Sequence, residues 1–136
     1  MGNEWHNVKT DEVVDAIPEG IYGFVYLITN TINNRQYFGK KFFYSQKTRQ
    51  VKGKKKKFKV ESDWKEYYGS NDELLKDVET HGKDSFVRKI LVFCRTKGEC
   101  SYYEAKYQFE NDVLLNPDKY YNSWIQCKIH RKHIKQ

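Results

Sequence analysis

Three tyrosines close together near the start of the chain are the first side chains with chemistry to offer. Tyr22 ends the triplet Gly20-Ile21-Tyr22, Tyr26 follows four residues later, and Tyr37 opens Tyr37-Phe38-Gly39. A phenol donates a strong hydrogen bond while protonated and can act as a base once its pKa is drawn down from ~10. Directly after them comes Lys40 to Lys59, KKFFYSQKTRQVKGKKKKFK, which holds ten of the 25 Lys and Arg residues and no acid. That leaves 15 basic against 18 acidic groups elsewhere, so the whole positive excess behind the net charge of +7 sits in one segment. Lysines such as Lys40, Lys47, Lys52, Lys54, Lys55, Lys56 and Lys57 meet phosphates and release counterions, and the interleaved Phe42, Phe43, Tyr44 and Phe58 can stack on bases. Concentration beside the tyrosines favours a polyanion-binding loop over a merely solvated charge run, and nucleic acid is the partner this implies.

The elements that must position these groups can be read around them. Phe24 to Thr29, FVYLIT, is β-branched and aromatic; NTINN is turn chemistry; RQYFGKK resumes an extended pattern, which makes a β-hairpin. In a hairpin whose loop has an even number of residues, paired positions have an odd sum. Tyr26 and Tyr37 therefore share a face, directly opposite if the loop centres on Thr31 and Ile32, diagonal if it centres on Ile32 and Asn33. Tyr22 has the same parity but lies roughly 13 Å farther along the strand at ~3.3 Å per residue. Tyr26 is the expected partner of Tyr37.

Downstream, Ser70 and Glu73 have capping-box spacing, Leu74, Leu75 and Val78 form an apolar stripe and Gly82 supplies a stop, so a helix is expected over about 71–81. FVRKILVFC, 86–94, reads as a third strand. A second helix over roughly 98–115 ends at Asn116-Pro117. Residues 1–19 read as an N-terminal arm in which EVVDAI could form a helical turn, 20–125 as the domain with its basic loop 40–59, and 126–136 as a basic tail with Lys128, Arg131, Lys132 and Lys135. The order β-β-α-β-α predicts a small α+β domain with an antiparallel or mixed three-stranded sheet flanked by helices.

Length and composition agree. The chain has 136 residues, room for one modest core. With 16% aromatic residues it is not expected to be disordered, despite a mean hydropathy of -0.92. No apolar run approaches a membrane span, and the Met-Gly start lacks both an h-region and a myristoylation serine or threonine. Cys94, Cys100 and Cys127 suggest neither a disulfide framework nor a metal knuckle, so a soluble cytoplasmic protein is expected. Cys127, His130 and His133 recur every third residue, but a structural zinc site draws four ligands from two separated pairs.

Taken with these elements, FVYLITNTINNRQYFG resembles the signature of the GIY-YIG nuclease superfamily, in which two hairpin strands carry tyrosines ten or eleven positions apart; here ten residues, Leu27 to Gln36, intervene. GKK, SDWKEYYGS and YYNSW are most similar to the Seg-type GIY-YIG endonucleases of T-even-like bacteriophages. The likeness covers about 23–125. Phe24-Val25 in place of Gly-Ile, and Phe38 in place of Ile, are apolar strand exchanges that leave the tyrosines where they are.

The resemblance implies metal-dependent hydrolysis of DNA to 5'-phosphate and 3'-hydroxyl ends, with one Mg²⁺ or Mn²⁺ held by a single carboxylate. Glu104 matches, with Tyr107 three positions on; Glu110 and Glu99 are weaker candidates. Thr96 and Glu99 make a capping box near the preceding strand, which leaves Glu104 in mid-helix rather than closing a cap from Ser101. Tyr26 and Tyr37 would bond the attacking water and the phosphate, with Tyr26 favoured as general base once a neighbouring cation or metal-bound water lowers its pKa. Gly39 would let the chain turn beside the phosphate. Arg49 is the family's expected phosphate-stabilising cation, with Lys47 and Lys41 as rivals, and Asn122 would orient a water or phosphate. One metal site cuts one strand, so nicking, sequential cutting and a transient homodimer are all open. The competing readings are a catalytically silent single-strand-binding module, in which the tyrosines are core, and an RNA nuclease.

Overall fold

The computed structural model describes residues 4–128 and 130–133; the Met-Gly start and Lys135 lie outside them. Among the described residues the chain forms β1 (Trp5–Asn7), β2 (Gly23–Asn30), β3 (Gln36–Phe42), β4 (Tyr44–Val51), β5 (Lys54–Glu61), α1 (Asp72–His81), β6 (Phe86–Cys94) and α2 (Lys97–Glu110), with short 3-10 turns between. The expected β-β-α-β-α series is present as β2, β3, α1, β6 and α2, and the fold is α+β. No helix among the described residues is long and apolar enough to cross a membrane.

The main sheet has four strands rather than three, in the order β1-β6-β2-β3. β2 runs antiparallel to β3 and β6, while β1 joins β6 in parallel, so the sheet is mixed. Residues expected as a free arm thus contribute its edge strand. Trp5 explains why: its indole is buried against Phe24, ring centroids 4.9 Å apart, and its Nε1 donates to the Trp64 carbonyl at 2.7 Å. EVVDAI forms no helical turn; Val14 N–H bonds the Trp5 carbonyl and Val13 bridges His6, pairing β1's outer edge.

Period-two alternation splits β2 between two layers. Phe24, Tyr26 and Ile28 enter one core with Trp64, Leu74 and Val78, whereas Val25 faces Cys94 and Cys100 on the other side, beside Tyr103 and Tyr107 of α2. α1 therefore covers one face and α2 the other. The β2–β3 turn closes with Asn30 N–H on the Arg35 carbonyl at 2.8 Å and Asn34 left-handed at φ 61°. Its loop centres on Ile32 and Asn33, the diagonal one of the two registers.

Helix boundaries follow local chemistry. Asn71, not Ser70, caps α1, its side chain accepting from Leu74 N–H at 2.9 Å. Thr96 caps α2, accepting from Glu99 N–H at 3.1 Å. α2 stops sooner than expected because Asp112, at φ 50°, leaves the right-handed region, and Val113–Leu115 form a separate turn.

The basic loop is not a loop. Residues from Tyr44 to Glu61 pair as an antiparallel two-stranded ribbon separate from the main sheet, turned by Lys52-Gly53 with φ 50° and 75°. Two left-handed residues are what a two-residue hairpin turn of matching twist requires.

Candidate active site

β3 is the last strand of the main sheet, its outer side bonded by residues 119–122, so side chains from both of its faces can meet around it. A cavity of about 300 Å³ lies there, lined by Tyr37, Lys40, Ser70, Asn71, Glu104, Gln108, Asn122, Ser123, Trp124 and Gln126. Tyr37 arrives from the α1 side of β3, and Lys40 from the α2 side, where Glu104 projects to meet it. Ser70 and Asn71 bring the N-terminal, electropositive end of α1 to the rim. Tyr22 stands elsewhere: it packs on Phe42, ring centroids 5.1 Å apart, and lines a separate cavity with Tyr44 and Lys59.

Tyr26 pairs with Gly39 and Tyr37 with Ile28, which makes the two tyrosines same-face diagonal neighbours with centroids 6.2 Å apart. Their environments differ. Tyr37 is half-buried and its hydroxyl shares a 3.3 Å hydrogen bond with Ser70 Oγ. Tyr26 is 1% exposed and lies behind Tyr37. Its phenol fills the space where a Cβ on Gly39 would be, the would-be Cβ falling 2.5 Å from Cζ and nearest of all to the hydroxyl. Gly39 is thus required by Tyr26, not by a turn; its φ is not positive. Burial pushes the Tyr26 phenol well above the usual range, with the Tyr67 and Tyr37 hydroxyls adding to the effect, and burial also raises Tyr37. Burial therefore favours the protonated phenol at both positions.

Glu104 sits in mid-helix, its Oε1 3.1 Å from Lys40 Nζ, with side-chain exposures of 15% and 23%. Burial raises the Glu104 carboxyl, and the Lys40 ammonium pulls against that shift. Glu99 is buried and accepts from Arg95 N–H at 3.0 Å instead, and Glu110 is exposed outside the cavity. Among the described residues no three His, Cys, Asp or Glu side chains gather to cage a metal. A half-buried carboxylate facing an open polar cavity fits a hard cation that retains most of its water and takes further oxygens from a phosphate.

Several expected site residues are placed differently. Arg49 and Lys47 are exposed on the β4–β5 ribbon, outside the cavity lining, and Arg49 covers the Phe58 ring at 5.2 Å. Lys41 points to the α1 side, where it bonds Asp63 at 2.7 Å and sits 4.0 Å from the Tyr67 ring centre. Lys40, expected only to bind DNA, is the cation brought to the cavity. Lys52, Lys54, Lys55, Lys56 and Lys57 lie on the ribbon. Asn122 is 6% exposed, and its amide is engaged at both ends: Oδ1 accepts from Phe38 N–H at 3.0 Å and Nδ2 donates to the Phe38 carbonyl at 2.8 Å. It therefore clamps the edge of β3, with Gln108 Nε2 reinforcing the same carbonyl at 3.2 Å, instead of presenting a free amide to phosphate.

Reading the sequence missed Tyr67, Gly69 and Gln108. A Cβ on Gly69 would lie 3.5 Å from the Tyr26 hydroxyl and 3.4 Å from Tyr37, so Gly69 at φ 93° is a second wall of the phenol pocket. The signal was there in the run WKEYYGS, whose glycine follows two aromatics and precedes a helix cap, but nothing local tied it to the hairpin.

A family model described as "Putative endonuclease segE, GIY-YIG domain" matches residues 5–125. Searches of curated proteins and of solved structures found no significant match. The match spans most of the chain, β1 through the Asn122 clamp, and on that ground the protein belongs to the SegE family of GIY-YIG endonuclease domains.

Proposed function

We propose that the chain is a metal-dependent DNA endonuclease that hydrolyses phosphodiester bonds to 5'-phosphate and 3'-hydroxyl ends. The observation that carries this reading is the convergence of Tyr37, Lys40 and Glu104 in one cavity at the edge of β3, in a molecule whose positive excess is gathered in one segment. Water attacks the phosphorus as the P–O3' bond breaks, giving up a proton to the solvent of the open cavity while the departing 3'-oxygen takes one up from it, and Tyr37, protonated and paired with Ser70, donates to a non-bridging phosphate oxygen. Lys40 stabilises charge developing on the phosphate, a task its exchange between Glu104 and the substrate allows. Glu104 would hold Mg²⁺ or Mn²⁺, which would supply Lewis-acid charge neutralisation and a more acidic bound water. Tyr26, itself packed on Tyr67, backs the Tyr37 ring, and Asn122 holds β3 so that Tyr37 and Lys40 stay on opposite sides of the edge. A phage-encoded enzyme working in the cytoplasm of its bacterial host fits the Seg-type likeness. Cutting both strands then requires two successive nicks or a transient pairing of protomers.

Relaxation of supercoiled plasmid with and without Mg²⁺ tests the reading. Metal-dependent nicking that is lost in Glu104→Ala, with nicks that DNA ligase reseals directly, is the expected result. Tight, salt-sensitive binding without cleavage under any divalent ion overturns it in favour of a binding module, and preferential cutting of RNA overturns the choice of substrate. The single-strand module draws little from the aromatics expected to stack: Phe43 is fully buried, and Phe42 and Tyr44 pack against the body.

A further inference from the structure

We infer that the β4–β5 ribbon lies in the major groove of B-form duplex DNA, with the face carrying Gln46, Thr48 and Gln50 turned to the base edges. The choice of ligand rests on the DNA-cleavage reading above; the mode of binding comes from the ribbon itself. Its eight cross-strand pairs run from Tyr44↔Glu61 to Val51↔Lys54. At ~3.3 Å per residue that is a rod roughly 26 Å long, and the major groove, about 12 Å wide, admits a two-stranded β-ribbon.

Beyond its foot, where Tyr44 packs against the core, the ribbon stands away from the rest of the described fold. A lone two-stranded hairpin is marginal in water. Here residues 46–50 and 52–59 are exposed on both faces, and the strands from Tyr44 to Glu61 carry eight Lys or Arg against one acid, Glu61 at the foot. Arg49 pairs directly with Lys56, and like charges opposite one another destabilise a ladder. A polyanion relieves all of these at once.

Parity separates the two faces. On one, Gln46↔Lys59, Thr48↔Lys57 and Gln50↔Lys55 each place an uncharged donor-acceptor beside a lysine. Amide and hydroxyl side chains can match both donors and acceptors on base edges, which bare cations cannot. On the other face, Lys47, Arg49, Lys54 and Lys56 are long enough to bend to the flanking phosphates. The remaining nucleic acids fit poorly. The one exposed ribbon aromatic, Phe58 at 37%, is covered by Arg49, so there is no stacking platform for a single strand. The major groove of duplex RNA is too deep and narrow for the ribbon to enter.

The test is binding of the full chain, in chelator so that no cutting intervenes, to a labelled DNA duplex two helical turns long, the corresponding single strand and the corresponding RNA duplex. The DNA duplex is expected to bind about tenfold or more tighter than either competitor. The protein should displace the major-groove dye methyl green and be indifferent to the minor-groove binder netropsin. Gln46→Ala/Thr48→Ala/Gln50→Ala should weaken duplex binding about tenfold without changing its salt dependence, whereas Lys47→Ala/Arg49→Ala/Lys56→Ala should lower the slope of log K against log salt by up to ~2.7, at ~0.9 for each phosphate no longer neutralised. Unchanged melting of both variants would show the body intact. Netropsin competition, a preference for single strands or RNA, or wild-type binding by both variants overturns the inference. Persistent metal-dependent cleavage alongside those results leaves the nuclease reading standing; groove binding with no cleavage does the reverse.

Discussion

Gly39→Ala offers the sharpest check on how the site is built, because the physics of strands and the physics of this pocket predict opposite signs. In an ordinary strand, replacing glycine by alanine reduces the entropy lost on folding and stabilises by about 0.5–1 kcal/mol. At Gly39 the new methyl would stand 2.5 Å from Tyr26 Cζ and 3.0 Å from Cε1, against an ordinary carbon–carbon contact of about 3.5–4.0 Å. The phenol has nowhere to retreat. Trp5 lies 5.2 Å away between centroids, Tyr67 6.0 Å and Tyr37 6.2 Å, with Gly69 behind the hydroxyl. Overpacking of this kind costs about 1–3 kcal/mol, and a clash of about 1 Å in a closed pocket belongs at the upper end. For a domain of this size a loss of about 2–3 kcal/mol lowers the melting temperature by roughly 8–12 °C. Thermal unfolding followed by circular dichroism reads it, and a double-mutant cycle with Tyr26→Phe isolates the cause. Because the hydroxyl is the nearest atom, the double variant should lose at least about 1 kcal/mol less than the sum of the two singles. Stabilisation by Gly39→Ala, or strict additivity with Tyr26→Phe, would refute the claim that this glycine exists to admit the phenol.

Three further outcomes are expected. Tyr37→Phe should lower single-turnover cleavage by roughly 10²-fold or more while leaving the melting temperature within about a degree, since its hydroxyl makes one long hydrogen bond, to Ser70 at the cavity rim, among the described residues. Because burial raises the Glu104 carboxyl above its ordinary 4.5, protonation favours the folded form, so stability contributed by this group is present below 4.5 and lost as pH rises through the folded value; denaturant unfolding of the metal-free protein across that range should show the loss, and Glu104→Gln should remove it. Asn122→Ala leaves the Phe38 N–H without its partner in a buried place, so denaturant unfolding should show a loss of about 2–4 kcal/mol and hydrogen exchange should quicken at Phe38 before it does in β6.

The sequence by itself determined the local pieces and their kinship. Period-two alternation and the NTINN turn placed Tyr26 and Tyr37 on one face of a hairpin, and the third strand, Phe86–Cys94, ends where its apolar pattern ends. Capping chemistry put Glu104 in mid-helix, because a cap is decided within four residues. Only the tertiary structure decided which groups meet at the edge of β3. Lys40 reaches Glu104 across 64 positions and Asn122 clamps Phe38 across 84, and no local periodicity records such separations. Arg49, Lys47 and Lys41 were as basic as Lys40 on paper; strand parity turned Lys41 to the other face, and the departure of β4 from the main sheet after Phe42 carried Lys47 and Arg49 away from the cavity. Trp5 makes the same point from the other end of the chain. A polar arm with one tryptophan becomes a parallel edge strand because the dry surface that takes its indole, formed by Phe24, Tyr26 and Trp64, exists only once the sheet has assembled.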